Sequence, residues 1–355
     1  MTTSAGSSRL LGARTGSICA VNRISTREVD RWVCAQGSKV AVSAEVLAHT
    51  GLIYGTIRHP GQVSVVGLVS GATAAATLAS FADPWPDERF VSFAVCPDRT
   101  FVVFTGSTSM RAVGADGRQR WEYPYLRPLT DTTRGSAIVT ADGTRVWATI
   151  PAEATSDGFD HWLVLDSRHG TVLAQTPIEA VGAGAEHFRH PDGVHVGLDV
   201  GEGQDGSVLF WGRIEHGQLH HWQPGNGLVL AGLSPTGDRY LTIAHDQSVA
   251  AVYTFPAGDA LWMAPGDLAP RPPHEDQEEL FWDYHGGFVD DATIILSDVE
   301  FDEQNRAGHW LIDAAAGHNR GEVSYPGPVT GYPRPLGDGT WLTATEQTIS
   351  RWTIR

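Results

Sequence analysis

The chain contains 355 residues and has a formal net charge of −16 at pH 7, with 41% hydrophobic and 19% charged residues. A chain of this composition can bury a core, which excludes intrinsic disorder. The negative charge argues against a nucleic-acid partner or an anionic membrane surface, because both require a basic footprint. The 40 glycines, 20 prolines and 12 tryptophans are typical of short strands joined by turns.

The cysteines and the N-terminus predict a cytoplasmic protein. Cys19, Cys34 and Cys96 are odd in number and widely spaced, without a CxxC pair, and this pattern indicates reduced thiols, with a single disulfide as the alternative. No stretch approaches the roughly 18 apolar residues of a membrane helix, and residues 1–8 lack the apolar segment of a secretory signal. Lys39 is the only lysine, which we interpret as the codon bias of a GC-rich bacterial genome.

A turn with Pro-Asp-Gly or Asp-Gly character recurs along the chain at steps of about 44 to 54 residues. A type I turn favours Pro at its second position and Asp, Asn or Gly after it, so these segments predict turns. The copies lie at residues 96–100, 141–143, 190–193, 234–238, 290–292 and 337–339. Each is followed by an apolar segment, which predicts strands at residues 101–104, 146–150, 194–198, 240–243, 293–296 and 340–343.

A second pattern follows each of the first five turns and consists of a strand, a turn with Gly and a further strand. It begins at residues 111, 163, 209, 252 and 311, and an earlier copy begins at residue 63. The earlier copy implies one more unit, whose first strands lie near Val40 and Leu52. Together the two patterns predict seven units of about 48 residues with four strands each.

Four-stranded units at this period resemble the blades of a β-propeller of the WD40 and PQQ-like repeat superfamily. Residues 116–121, Asp-Gly-Arg-Gln-Arg-Trp, and residues 258–262, Gly-Asp-Ala-Leu-Trp, are similar to the end of a PQQ-type repeat. The Trp-Asp and Gly-His pairs of WD40 repeats are missing, so the resemblance is to a divergent propeller. It implies an all-β fold, a single seven-bladed β-propeller of four-stranded antiparallel blades over residues 1–355. It implies no particular activity.

The last unit ends in residues 348–355, which form a third strand without a fourth. The segment of about residues 10–22 is strand-like and belongs to none of the seven units. We therefore expect this N-terminal segment to complete the last blade and close the ring, because closure removes exposed sheet edges.

The loops of one face of such a propeller are long and chemically varied. These are the loops between the second and third strands and the connections between blades, and loops on a rigid scaffold commonly carry function. Aromatic and arginine side chains there predict ligand binding by stacking and charge-assisted hydrogen bonds, although the same residues could pack the loops against the ring. The candidate ligand-binding residues are Trp85, Tyr125, Arg127, Trp282, Tyr284, Tyr332 and Arg334.

The longest connection, residues 265–284, adds candidate catalytic groups. His274 and His285 bracket an acidic, aromatic segment, and a His beside a carboxylate such as Glu275 or Asp283 can act as a general base. A solvated acidic loop with incidental histidines would have the same sequence. Gly-x-Ser-x-Gly, the phosphate-binding loop and the Rossmann fingerprint are all missing.

We predict no metal site and no cofactor. Histidines cluster at residues 187–195 and 216–221, but neither group has the HExxH or CxxC spacing of a known metal motif. Acidic loops at residues 157–160, 199–205 and 298–303 could take Ca²⁺ through oxygen ligands, although none matches an EF-hand. The resemblance to PQQ-type repeats does not extend to the cofactor.

Two classes of function remain open. The first is a binding protein or scaffold that holds a small molecule, a peptide or a protein on the aromatic and acidic face. The second is a propeller enzyme of lyase, cyclase or hydrolase type that acts on a small molecule with a His/carboxylate pair at the mouth of the channel. A structural module of a larger complex is disfavoured, because it requires a broad apolar patch.

Overall fold

The structure contains five four-stranded antiparallel sheets and one eight-stranded sheet, which combines the last two blades, so seven blades form as the repeat predicts. The structure is a computed structural model that describes residues 22–33, 45–47, 52–59, 61–86, 92–126, 135–152, 155, 157–180, 182, 184–266, 281–298, 308–329, 331–345 and 348–355. None of the described segments forms a helix with the length and apolar character needed to cross a bilayer. The prediction of a seven-bladed all-β propeller is confirmed.

Within each of the first six blades, the strands pair in chain order. Strand β1 (Arg23–Val33) precedes the first blade. Blade 1 consists of β2 (Glu45–Leu47), β3 (Leu52–His59), β4 (Gln62–Gly67) and β5 (Ala76–Ala82). Blade 2 consists of β6 (Ser92–Val95), β7 (Phe101–Thr105), β8 (Ser109–Gly114) and β9 (Gln119–Pro124). Blade 3 consists of β10 (Ser136–Val139), β11 (Arg145–Ile150), β12 (Asp160–Asp166) and β13 (Val172–Ile178). Blade 4 consists of β14 (Gly184–Arg189), β15 (Val196–Gly201), β16 (Ser207–Glu215) and β17 (Gln218–Trp222).

The remaining blades follow the same order until the ring closes. Blade 5 consists of β18 (Leu228–Leu233), β19 (Arg239–Ala244), β20 (Val249–Thr254) and β21 (Ala260–Pro265). Blade 6 consists of β22 (Trp282–Asp290), β23 (Thr293–Asp298), β24 (His309–Asp313) and β25 (Asn319–Ser324). Blade 7 contains β26 (Arg334–Pro335), β27 (Trp341–Ala344) and β28 (Thr348–Ile354). First strands of neighbouring blades contact each other, as β6 contacts β10 and β18 contacts β22, so first strands line the centre of the ring.

The recurring turns connect first and second strands, as their chemistry predicts. The carboxylate of Asp98 accepts the backbone N–H of Thr100 at 2.9 Å, and the carboxylate of Asp142 accepts that of Thr144 at 3.0 Å. A side chain that bonds the backbone two residues on stabilises the tight turn between two strands. The turn motif therefore marks the same place in successive blades.

The blades are held together by apolar side chains stacked between them. Among the described residues, seven clusters of buried side chains form, and each joins one blade to the next. One of these clusters joins blade 7 to blade 1 through Trp32, Ile349 and Ile53. Burial of apolar area is the main favourable term in folding, so the stability of each blade depends on both neighbours.

Fourth-strand tryptophans dock onto the following blade at the positions of the PQQ-like motif. The indole N–H of Trp121 donates to the carbonyl of Ser167 at 2.8 Å, and that of Trp262 donates to the carbonyl of Ala314 at 3.0 Å. A Cβ added at Gly170, whose φ is +69°, would lie 2.7 Å from the Trp121 ring. Glycine is therefore required both for the left-handed turn and for the close approach of the indole.

Strand β1 closes the ring by bridging two blades. Its first residues pair in parallel with β25, with Ile24 opposite Val323, and the rest pairs antiparallel with β28, with Trp32 opposite Ile349. The fourth strand of blade 7 is therefore Arg23–Val33, later in the chain than the predicted segment of residues 10–22. Residues 10–21 of that segment lie outside the described residues. The indole N–H of Trp32 donates to the carbonyl of Val69 at 2.9 Å, which fixes β1 against blade 1.

The antiparallel order of the blades divides the loops between two faces. We call the face with the second-to-third strand loops and the blade connections the upper face. The face with the first-to-second and third-to-fourth strand turns is the lower face. Rigid inner strands such as β22 end at both faces and hold the adjoining side chains in fixed positions.

Substitution of Trp32 should test whether closure determines stability. Trp32 has no exposed surface and joins the cluster between blades 7 and 1, so Trp32→Ala should lower the free energy of unfolding by about 3–5 kcal/mol. Urea denaturation followed by far-UV circular dichroism measures this loss. The adjacent Val33 is 54% exposed, so Val33→Ala serves as the control and should change stability by no more than about 0.5 kcal/mol. Equal effects of the two substitutions would contradict closure through Trp32.

Candidate functional site

Three predicted site residues, Asp283, Tyr284 and His285, lie at the upper end of β22. Pairing between β22 and β23 is irregular from Trp282 to Gly286, so these three residues depart from the regular ladder. Such irregularities change the direction in which side chains point. The start of the strand is also attached to blade 5, because the backbone N–H of Trp282 donates to the carbonyl of Gln247 at 2.8 Å. The hydroxyl of Tyr284 donates to the carbonyl of His245.

Asp283 and His285 form a contact pair beside an aromatic ring. A carboxylate oxygen of Asp283 accepts the backbone N–H of His285 at 2.9 Å and contacts Nδ1 of the same residue. The His285 ring stacks on Tyr332, from the connection between blades 6 and 7, with 3.8 Å between ring centroids and 8° between planes. The His285 side chain is 32% exposed and Tyr332 is 43% exposed, so both rings reach solvent.

Negative charge concentrates around these rings. Burial raises the pKa of Tyr284, and the carboxylates of Asp283, Asp246 and Asp199 raise it further. The pKa of Tyr332 is raised by burial and then by Asp283. A carboxylate opposes the ionisation of a phenol, and Asp283 acts in this way on both rings. We call the group Asp199, Asp246, Asp283, Tyr284, His285 and Tyr332 the acidic–aromatic patch.

Asp199 was predicted only as a member of an acidic loop, but it lies within the buried strand β15. It is 9% exposed, and one carboxylate oxygen accepts the backbone N–H of Leu230 in blade 5 at 3.1 Å. The other carboxylate oxygen is buried without a hydrogen-bond partner among the described residues. Burial raises the pKa of Asp199 to about 7, and Glu186 adds to the effect. The signal in the sequence is an aspartate within the otherwise apolar run of residues 196–200.

Trp282 was predicted to bind ligand, and the structure places it in the core instead. Its side chain has no exposed surface, and its indole N–H donates to the carbonyl of Ala264 at 3.0 Å. Successive side chains of a strand point to opposite faces, so neighbours of a surface residue readily face the core. We therefore remove Trp282 from the candidate site.

Trp85 and Tyr125 lie together at blade 2, away from the acidic–aromatic patch. The hydroxyl of Tyr125 donates to the carbonyl of Gly106, and a Cβ on Gly106 would lie 2.9 Å from the Trp85 ring. The guanidinium of Arg111 lies 4.7 Å from the centroid of the same ring. These contacts pack the upper loops of blades 1 and 2 against each other.

The other predicted residues fall into two groups. Arg334 is exposed on β26, and the next residue, Pro335, lies close to Gly287 of β22. Arg127, His274 and Glu275 lie outside the described residues. Their placement in the site therefore stays a prediction.

Two acids of the loops considered for Ca²⁺, Asp298 and Asp160, accept hydrogen bonds from backbone N–H groups of nearby loops. Asp298 accepts the backbone N–H of Gly308 at 2.7 Å and the indole N–H of Trp310 at 2.9 Å. Asp160 accepts the backbone N–H groups of Ala152 and Gly182, the latter at 3.1 Å. Hydrogen bonds to backbone donors satisfy buried carboxylates, so these two residues stabilise loop structure.

Comparison with known proteins agrees with this architecture. No protein-family model matches the chain, and no curated protein matches it in sequence. Among solved structures, the WD40 repeats of RRP9 superimpose with a TM-score of 0.56 at 8% identity, covering 93% of this chain and all of theirs. BamB from Moraxella catarrhalis gives 0.53 at 12% identity over 93% of this chain and 98% of BamB.

A third solved structure, BBS1N in complex with ARL6DN, has a TM-score of 0.50 at 13% identity, covering 94% of this chain and 98% of that chain. Likeness at such low identity shows the fold alone. The chain is thus a divergent β-propeller whose structural neighbours are WD40 and PQQ-like propellers.

The buried carboxyl of Asp199 should make stability depend on pH. Its pKa is about 7 in the folded chain and about 3.9 in the unfolded chain, so the folded chain retains an extra proton between these values. The contribution of this proton to the free energy of unfolding is fully present below about pH 4. It is lost as the pH rises from about 4 to 7, by up to about 1.4 kcal/mol per pH unit. Asparagine does not ionise, so Asp199→Asn should exceed the wild type in stability by a margin that grows from about pH 4 to 7 and then stays constant.

Urea denaturation at several pH values between about 4 and 8 measures that margin. Asp259→Asn is the control, because Asp259 is an exposed carboxylate on the lower face and its loss should change stability by no more than about 0.5 kcal/mol. A margin for Asp199→Asn that does not change with pH would show that Asp199 titrates as an ordinary carboxyl.

Proposed function

We propose that this protein is a binding propeller that holds a basic peptide segment of a protein partner on its upper face. The observation that carries the proposal is the contact between Asp283 and His285, whose ring stacks on the exposed ring of Tyr332. The carboxylates of Asp283, Asp246 and Asp199 also raise the pKa of Tyr284. Carboxylates attract a cation, and an aromatic face stabilises the same charge through its quadrupole.

The chemistry of the patch favours arginine over other basic groups. A guanidinium is planar, so it can stack on the exposed face of an aromatic ring such as Tyr332 while donating two hydrogen bonds to one carboxylate. Asp283 is next to both Tyr284 and Tyr332, which places the acceptor beside the stacking surface. A lysine ammonium would gain the charge interaction but not the planar stacking.

The bulk properties of the chain support the same class of partner. A net charge of −16 attracts basic partners and raises their association rate at low ionic strength. A propeller of similar fold, BBS1N, was solved in complex with ARL6DN, so a ring of this architecture can serve as a protein-binding surface. We also propose that this binding role is cytoplasmic, which the cysteine pattern supports.

A short labelled peptide tests the proposal. Fluorescence anisotropy should show that Gly-Gly-Arg-Gly-Gly binds the wild type, and that the same peptide with citrulline binds at least about tenfold more weakly, because citrulline keeps the shape of arginine without its charge. Asp283→Asn should weaken binding of the arginine peptide by a similar factor, since it removes the partner of a charge-assisted hydrogen bond.

Asp259→Asn is the matched control for overall charge. It removes one negative charge from the lower face and should leave the affinity within about twofold of the wild type. Equal binding of the arginine and citrulline peptides would refute cation recognition. Equal losses in Asp283→Asn and Asp259→Asn would show that attraction depends on net charge and not on the patch.

The contact between Asp283 and His285 supports a second candidate, an enzyme that uses His285 as a general base. A carboxylate at Nδ1 holds the ring so that Nε2 can accept a proton, which is the arrangement of base and orienting acid in many hydrolases. A pH-stat assay with δ-valerolactone tests the hydrolase form. Turnover that is lost in His285→Gln, with the circular dichroism spectrum unchanged, would favour the enzyme, and a wild type without turnover would remove this form.

A further inference from the structure

A second group of chemically active side chains lies on the lower face, in the turn between β14 and β15. His190, Asp192 and His195 each place one ligand atom within 4.8 Å of the other two. Nδ1 of His190 is 3.0 Å from one carboxylate oxygen of Asp192, and Nδ1 of His195 is 2.6 Å from the other. Two imidazole nitrogens therefore flank a single carboxylate.

The hydrogen bonds of His190 fix which of its nitrogens is available. Nε2 of His190 lies 2.8 Å from the carbonyl oxygen of Gly237 in blade 5, and a carbonyl only accepts, so Nε2 carries the proton. In a neutral ring, Nδ1 then holds a lone pair, which accepts the backbone N–H of Asp192 at 3.2 Å and lies 3.0 Å from a carboxylate oxygen of the same residue. The nitrogen and the carboxylate oxygen both present lone pairs, so a proton or a metal cation between them would relieve their repulsion.

The surroundings hold these groups in place. The His190 side chain is 4% exposed and its ring packs against Phe255 with 4.1 Å between centroids. The His195 side chain is 13% exposed and meets Trp222 nearly edge-on at 5.6 Å. Nε2 of His195 is buried without a hydrogen-bond partner among the described residues, so the bond from Nδ1 to Asp192 and the packing against Trp222 orient this ring.

We propose that His190, Asp192 and His195 bind a first-row divalent transition metal ion, with Zn²⁺ as the representative. Two imidazoles and one carboxylate are ligands that suit Zn²⁺, Co²⁺ or Ni²⁺, whereas Ca²⁺ and Mg²⁺ require oxygen ligands. The bond from Nε2 of His190 to the carbonyl of Gly237 is the outer contact that metal-bound histidines commonly make. Three protein ligands leave a further position for water.

The bound metal ion would stabilise the propeller itself and would not take part in the acidic–aromatic patch. All three ligands belong to one turn of blade 4, and His190 also contacts the turn of blade 5 through Gly237. A Cβ at Gly237 would lie 2.8 Å from the His190 ring, so glycine allows the two turns to approach. Bound metal would therefore fix a lower-face turn at the interface of blades 4 and 5. This site is independent of the proposed peptide binding.

Titration of the chelator-treated full-length protein with ZnCl₂ tests the proposal. Isothermal titration calorimetry should give one Zn²⁺ per chain, and Co²⁺ should produce visible d–d absorption typical of a site with nitrogen ligands. Asp192→Asn should weaken Zn²⁺ binding by about tenfold or more. Asparagine retains the side-chain oxygen that accepts the backbone N–H groups of Val194 and His195, so the turn should keep its fold. His195→Gln should weaken binding by a similar factor.

His169→Ala is the matched control, because His169 pairs with Asp166 at 2.9 Å in a turn that has no second histidine among its described contacts. It should bind Zn²⁺ as the wild type does. In the wild type, heteronuclear NMR should show that the imidazole chemical shifts of two histidines change when Zn²⁺ is added. This measurement tests the site even where a variant fails to fold. The proposal is overturned if the wild type takes up no stoichiometric metal, if both site variants keep wild-type affinity, or if His169→Ala loses binding equally.

Discussion

Apolar packing between neighbouring blades is the interaction on which the rest of this structure depends. A single four-stranded blade has two apolar faces and cannot bury either one alone. The described clusters join each blade to the next, and the cluster containing Trp32 and Ile53 joins the last blade to the first. Because β1 pairs with both β25 and β28, the sheets of blades 6 and 7 become continuous at the closure. The upper and lower faces are thereby held as two rigid surfaces.

Much of this fold could be predicted from the sequence, because the repeat is local. The turns, the strands after them and the tryptophans at residues 121 and 262 follow from turn chemistry and from a period of about 48 residues. The closing strand could not be placed as well. Residues 10–22 and Arg23–Val33 both have strand-like composition, and pairing between chain ends depends on contacts that are distant in sequence. Register with β28 is settled by burial of Trp32, and only the folded ring shows that burial.

The candidate site was predictable where its residues are neighbours in the chain. Asp283 and His285 lie together because a single strand end carries both, and Tyr332 joins them because consecutive blade connections meet on one face. Trp282 was misplaced because the irregular start of β22 does not reveal from sequence which side chains turn inward. Asp199 was missed as a site residue because its proximity to Tyr284 arises between blades. The geometry of His190 and His195 was missed for a related reason, since their spacing matches no known metal motif.

The burial of Asp199 supports the proposal that the acidic–aromatic patch is a functional surface. A buried carboxyl with one unpartnered oxygen lowers stability near neutral pH, and an apolar residue of similar size would avoid that loss. Asp160 and Asp298 are buried too, but each satisfies backbone donors and so stabilises its own loop. Asp199 accepts a single backbone N–H, and its carboxylate contributes to raising the pKa of Tyr284. Apolar packing on both sides of each blade allows the propeller to tolerate this destabilising group, and a cation bound at the patch would offset part of its negative charge.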